Sequence, residues 1–233
     1  MCKSRYKKRM KTKILFEDNA VLVIHKPAGI AVQSARIGQM DVENELRNYL
    51  AKNGVSPYIG LIHRLDQPVE GVLVVAKTKE AAAKLNRQLA GGTLNKRYLA
   101  VVSMESGQEE MSGDFVDYMV KSGQVASIVS QGTADAKEAR LHYQILQKTE
   151  SAALVDIEIE TGRFHQIRCQ MAHHGMPLLG DSKYGSSTSA SLSQNLGIRN
   201  VALCANRMEF KHPFNGKAMQ FEVKALNNAF VSF

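Results

Sequence analysis

The sequence predicts a single mixed α/β domain of the α+β type, a largely antiparallel central sheet flanked by helices and loops. Three observations carry this. Short β-branched runs are interspersed with stretches of helical spacing. Two alternating apolar runs, at residues 141–145 and 153–159, follow one another with only a turn between them, the mark of an antiparallel hairpin. At 233 residues and 44% hydrophobic, with no internal repeat and no Pro-rich or Gly-rich linker, the chain suits one substantial domain, or two small ones at most.

The elements follow in order. Residues 20–24 are a β-branched run that closes in Lys26, Pro27, Ala28 and Gly29, a strand ending in a turn. Residues 41–52 have helical spacing, with Val42, Leu46, Tyr49 and Leu50 on one side and Gly54 as the stop. After Pro68 and Gly71, residues 72–76 read as a buried strand. Thr78 caps the next helix, which has Glu80 in its first turn, Leu85 and Leu89 four apart, and Gly91 and Gly92 at its end. A strand follows at residues 96–102.

Residues 103–136 are rich in Gly, Ser and Gln with only short apolar pieces, and are expected to form loops and edge strands. In the hairpin that follows, Leu141, Tyr143 and Ile145 face one way, as do Ala153, Val155, Ile157 and Ile159, while Asp156, Glu158 and Glu160 face the other. Residues 164–174 have helical character between Gly162 and the Gly175–Pro177 stop. The Ser-rich SSTSASLSQN at 186–195 is expected to be a mobile surface loop, ahead of two last strands near 201–210 and 220–223.

The formal charge of +8 suggests a polyanionic partner, but its distribution qualifies that. Lys3, Arg5, Lys7, Lys8, Arg9, Lys11 and Lys13 fall in the first 13 residues with no acid among them, and the rest of the chain is close to neutral. Residues 1–13 are therefore read as a basic, flexible tail, and residues 14–233 as the domain. Such a tail can tether nucleic acid through phosphates, and a solvated end without a partner is about as good an explanation. No apolar run spans a bilayer, and only Ile14, Leu15 and Phe16 follow the tail where a signal peptide would have its apolar stretch, so a cytoplasmic location without membrane contact is expected. Cys2, Cys169 and Cys204 are odd in number and widely spaced, which offers neither a disulfide framework nor a zinc knuckle.

Familiar catalytic templates are absent: there is no G-x-S-x-G, no H-E-x-x-H, no P-loop and no dinucleotide fingerprint. His165, His173 and His174 match no common metal-ligand spacing, and packed or helix-surface histidines explain them better. Three stretches remain where polar residues interrupt apolar structure: HRLD at 63–66, LNKRYLAVV at 94–102 and TGRFHQIR at 161–168. Lys96 and Tyr98 project from one face of their strand and Arg97 from the other, so the first two can wall a pocket. Arg168 shares a helical face with His165 close to the helix start, where a cation calls for an anionic partner.

HRLDQPVEGVLVVAK, KRYLAVV, TGRFHQIRCQMAHHGMPLLGDSKYG and the late LCANRMEFKHP, in this order after HKPAG at 25–29, resemble the pseudouridine synthases of the RluA group. The resemblance covers most of the chain, and while each block alone is weak, four in order are specific. It implies one pseudouridine synthase domain that isomerises uridines of rRNA or tRNA. In that reading Asp66 is the catalytic aspartate, Tyr98 the pocket tyrosine, and Arg168 the arginine paired with Asp66. Arg64 stands where the family has an arginine that displaces the target base, and His63, Lys96 and Gln166 are expected to contact RNA. The resemblance implies no cofactor, no metal, RNA as the partner, no obligate protein partner and a monomer.

Two departures stand out. Many members carry Thr-Ser where this chain has Val69 and Glu70, which puts substrate contacts or turn geometry in question rather than the nucleophile. Family members also often carry a separate N-terminal RNA-binding domain, for which about two dozen residues before the first motif leave no room. Two other functions compete: a non-catalytic RNA binder on the same scaffold, and a carboxylate-dependent glycosidase or nuclease. The second needs another positioned acid, with Glu70 and Asp181 as the candidates.

Overall fold

The computed structural model describes residues 10–34, 38–104 and 110–233. In chain order the elements are β1 (Lys13–Glu17), β2 (Val21–Lys26), α1 (Val42–Lys52), β3 (Gly60–Leu61), β4 (Glu70–Ala76), α2 (Lys79–Ala90), β5 (Asn95–Ser103), β6 (Ser112–Ser122), β7 (Val125–Val129), β8 (Lys137–Lys148), β9 (Ala152–Ile159), α3 (Gln166–His173), α4 (Ser187–Asn195), β10 (Leu203–Lys211), β11 (Ala218–Glu222) and a closing 3-10 helix (Asn228–Ser232). The strands form one 11-stranded sheet in the order β1-β2-β4-β10-β5-β9-β8-β6-β7, with β3 added on β4 and β11 on β10. Among the described residues β10 and β4 pair in parallel and the other ladders are antiparallel.

Alternation along the strands divides the core. Leu22 and Ile24 of β2 with Leu73 and Val75 of β4 face one side, where Leu46 and Leu50 of α1 and Ile167 and Met171 of α3 cover them. Val21, Val23, Val72 and Val74 face the other, under Leu85 of α2. The starts of α1 and α2 are capped by side chains: Asp41 Oδ1 accepts from the Asn44 N–H at 2.8 Å, and Thr78 Oγ1 from the Ala81 N–H at 3.1 Å. Tyr98 and α3 share a face, so the sheet brings residues 66, 98 and 168 to one side.

Two expectations change, and that of edge strands after residue 103 is met. Residues 186–195 are not a loop but helix α4, because Ser186 and Ser189 cap one another reciprocally. Leu192 packs on Val101, Leu179 and Ala202, and the Ser193 hydroxyl donates to Ser189 O and accepts from the Gly180 N–H. The stretch after residue 103 contains a long hairpin, β6 and β7, at the far edge of the sheet; residues 105–109 lie outside the described residues. Residues 1–9 of the basic tail also lie outside them, but its last part is anchored. Lys11 and Thr12 donate backbone N–H groups to the buried Glu45 carboxylate at 2.6 and 3.1 Å, and Lys13 opens β1.

Gly71 shows how closely the segments meet. Its φ is +134°, and a Cβ there would lie 2.4 Å from Ala205 O of β10, so no other residue lets the HRLD turn enter the sheet at this point.

Candidate active site

Asp66 opens the turn just before β4, with its C=O accepting from the Val69 N–H at 3.1 Å. The turn is clamped from below. Lys26 Nζ, fully buried, donates to the carbonyls of Pro27, Ile30 and Gln67 at 3.1, 2.8 and 3.2 Å, and the Gly29 N–H meets Gln67 O at 2.8 Å. Burial pushes the Lys26 ammonium down to about 8, against the opposing pull of Asp66 and Glu70.

The Asp66 side chain is 26% exposed, and its Oδ2 accepts from Arg168 Nη1 at 3.2 Å. Arg168, only 4% exposed, donates from Nε and Nη2 to the two oxygens of Asp181 at 2.7 Å each. Burial alone would lower the arginine, but Asp181 and then Asp66 more than compensate and raise it. Asp181 is itself buried and accepts from the N–H groups of Lys183 and Tyr184 at 2.9 and 3.2 Å. His165 Nε2 lies 3.6 Å from Asp66 Oδ2, and the Tyr184 hydroxyl lies 2.8 Å from His165 Nδ1. Tyr98 is buried on β5, and its phenol is pushed up, first by burial and then by the Asp66 anion.

The sequence-derived residues divide into three groups. Asp66, Tyr98 and Arg168 come together. Arg64 and Lys96 lie where a ligand can reach them. Arg64 is exposed, Lys96 is half-buried with its ammonium lowered by burial, and neither has a hydrogen-bond or ion-pair partner among the described residues. Arg97 turns away, as expected, to Asp156 and Glu158 at 2.8 Å each.

His63 and Gln166 are instead structural. His63 is 9% exposed, its Nε2 accepts from the Val74 N–H at 3.5 Å, and burial, helped by the Lys96 charge, pushes it down to about 3. The buried Gln166 amide oxygen accepts from Thr161 Oγ1 and the Arg163 N–H at 2.8 and 2.9 Å, while its nitrogen donates to Arg140 O at 3.0 Å. Its amide thus helps to close the turn ahead of α3.

Residues that the motif reading passed over complete the site: Asp181, His165, Tyr184 and Lys26. One signal was available for the first. A guanidinium has five N–H donors, so a buried arginine facing one aspartate calls for a second acceptor, and GDSKYG supplies it. Neither candidate second acid is free to act as a glycosidase acid. Both Asp181 oxygens are on Arg168, and Glu70 Oε1 accepts the N–H groups of Leu226 and Asn227 at 2.9 Å. The histidines of the metal question separate as well. His173 and His174 share a cluster with Asp117, where His174 Nε2 lies 3.0 Å from a carboxylate oxygen that also accepts from Gln170, tying the end of α3 to β6.

Two surface cavities, of about 470 and 520 Å³, are lined by Pro27, Glu70, Arg199 and Asn227 and by Asp181, Ser189, Ser193 and Arg199. Asp66 borders neither, and the paired charges mark the site. No helix among the described residues is long and apolar enough to cross a membrane.

Residues 20–173 match a protein family described as RNA pseudouridylate synthase. The chain is 37% identical over 224 residues to the ribosomal large subunit pseudouridine synthase D of Zymomonas mobilis, covering 91% of this chain and 68% of that one. It is 36% identical to synthase D of Nitrosomonas europaea and 34% identical to ribosomal large subunit pseudouridine synthase C of Yersinia pestis, each match covering 90% of this chain. The chain spans only 61% and 64% of those two relatives. In fold it is similar to human RNA pseudouridylate synthase domain containing 4, with a TM-score of 0.74 at 24% identity over 91% of this chain and 88% of that one.

Proposed function

The chain belongs to the RNA pseudouridylate synthase family, and on that premise we propose that it isomerises uridine of ribosomal RNA to pseudouridine with Asp66 as the attacking carboxylate. The observation that carries the reading is the chain Asp66–Arg168–Asp181, which holds a partly open carboxylate against a guanidinium and beside a buried tyrosine. The names of the relatives favour ribosomal RNA over tRNA. The intact site disfavours a binder without activity.

The reaction breaks the bond from ribose C1′ to uracil N1, makes one from C1′ to C5, frees the C5 proton and places a proton on N1. All other atoms and all electrons stay with the nucleotide, so no cofactor is required. Asp66 attacks at the sugar or the base, as carboxylates do in glycosyl chemistry. Arg168 keeps it ionised in a site that a bound base closes to water.

Tyr98 offers its ring to the uracil and its phenol to the C5 proton. Once Asp66 is bonded to the substrate its negative charge is gone, and one of the two causes that raise the phenol goes with it. On the route through the base that bond persists while the C5 proton leaves, so the phenol is then more acidic, whereas on the route through the sugar the new C1′–C5 bond has already displaced Asp66. Arg64, exposed beside Asp66, fills the gap left by the extruded base, and Lys96 meets a phosphate. The whole set comes from one chain, in keeping with a monomer, and the buried free thiols of Cys169 and Cys204 suit the reducing cytoplasm.

Tritium release from 5-³H-uridine in ribosomal RNA tests the reading. Release by the wild-type protein and none by Asp66→Asn is expected. Release by both would remove Asp66 from its role, and release by neither from any ribosomal RNA would remove the activity.

A further inference from the structure

Among the groups touching Asp66, His165 has no part in the chemistry above, yet it is held from three sides. Phe164 stacks on its ring with 3.8 Å between centroids, Tyr184 meets it edge-on at 90°, and its backbone is left-handed at φ 55° and ψ 27°. A non-glycine residue stays in that region only where its surroundings hold it.

The hydrogen bonds fix more than its position. The Tyr184 oxygen accepts the Ala126 N–H at 2.7 Å and stands 2.8 Å from His165 Nδ1. With that backbone donor already on the oxygen, the hydroxyl hydrogen finds its acceptor in Nδ1, so the ring proton sits on Nε2. The opposite side of the ring agrees with this tautomer, because Nε2 faces Asp66 Oδ2 at 3.6 Å, too long for a hydrogen bond but near enough for an N–H to turn its positive end toward the carboxylate. Arg168 Nη1 reaches the same oxygen at 3.2 Å, whereas Asp66 Oδ1 has no hydrogen-bond partner among the described residues.

We propose that His165 is a positioning residue for uridine isomerisation. Held as the Nε2–H tautomer by the Tyr184 hydroxyl, it turns the positive end of that N–H toward Asp66 Oδ2, the oxygen that Arg168 hydrogen-bonds, and so leaves Oδ1 as the oxygen that attacks. The inference rests on the reading of Asp66 as nucleophile. The charged groups facing the ring are Asp66, Arg168, Lys183 and Asp181; burial pushes His165 down to about 4 even though Asp66 opposes it. At neutral pH the ring is thus an uncharged donor, and Arg168 remains the cation beside the carboxylate.

Histidine-¹⁵N NMR of the full chain at neutral pH reads the tautomer directly, with the His165 signal assigned by its loss in His165→Gln. The Nε2–H form is expected, and the Nδ1–H form overturns the proposal. This readout needs no turnover, so it stands apart from the failure of the isomerase reading, which a wild-type protein inactive on every ribosomal RNA would show. With an active wild type, His165→Met is expected to lower the single-turnover rate at saturating RNA by about 10- to 100-fold while the RNA dissociation constant stays within about twofold. His165→Gln, whose amide N–H extends to about the place of Nε2, is expected to recover most of the rate, and Tyr184→Phe to fall between. Equal losses in the Met and Gln variants, in step with their melting temperatures, would show a merely structural histidine and overturn the proposal.

Discussion

Arg168 places two hydrogen bonds of 2.7 Å on Asp181 and one of 3.2 Å on Asp66. The carboxylates differ accordingly in exposure, 1% for Asp181 and 26% for Asp66. One acid is consumed in fixing the guanidinium, and the other keeps an open side. The two should therefore respond differently to the same chemical change.

Asp66→Asn should abolish tritium release and leave RNA binding and stability nearly intact, because the amide keeps the shape and the site is partly solvated. Asp181→Asn should lower the rate and also cost about 3 kcal/mol of stability, since it leaves a buried guanidinium short of its main counter-charge. Urea unfolding beside single-turnover assays checks the split. Equal stability losses in the two variants would contradict this division of labour.

Gly71→Ala tests the approach of β4 to β10. The new Cβ would meet Ala205 O at 2.4 Å, and an L side chain is strained at φ +134°. A loss of more than about 3 kcal/mol is expected. A melting temperature near that of the wild type would mean that the two strands separate readily, and with them the anchor of the Asp66 turn.

Much of this was legible in the sequence, for identifiable reasons. Continuous apolar runs placed β2 and β4, which bury both faces, and period-two alternation placed β8 and β9, which bury one, as residues such as Leu22, Ile24, Tyr143 and Ile157 show. Motif order placed Asp66, Tyr98 and Arg168. What escaped depends on contacts between distant residues or on capping. The helix α4 is held by serine caps, the buried Ser189 and Ser193 and the half-buried Leu192, against a composition that suggests a loop. His165 and Tyr184 act on Asp66 through ring orientation, which no spacing encodes. Gln166 was assigned to RNA from its place in a polar motif, whereas its amide is satisfied within the turn that carries α3.

His63 makes stability depend on pH. Its folded value of about 3 lies below the ordinary 6.5, so between these two the unfolded chain binds the extra proton and stability falls as pH drops. The loss approaches about 1.4 kcal/mol per pH unit within that window. His165, lowered to about 4, adds to it in the same direction. Urea midpoints of the wild type and His63→Gln from pH 7 to 4.5 should diverge, with the wild type losing about 2 kcal/mol more. Parallel curves would show that His63 takes up its proton in the folded state at little cost.

The basic tail is open to a test that its anchor makes clean. Lys11 and Thr12 are tied to Glu45, so a deletion should stop at residue 9 and leave that attachment whole. It removes Lys3, Arg5, Lys7, Lys8 and Arg9. If all five touched phosphates, the slope of log affinity against log salt would flatten by at most roughly 3.5, from ~0.7 per contact on single strands. A partial flattening is expected, with weaker RNA binding at low salt and an unchanged single-turnover rate at saturation. The reason lies in the geometry, since Asp66, Arg168 and Tyr98 are positioned by α3 and the sheet. Identical slopes would make the tail a bystander, and a collapse of the saturated rate would show that it helps to build the site.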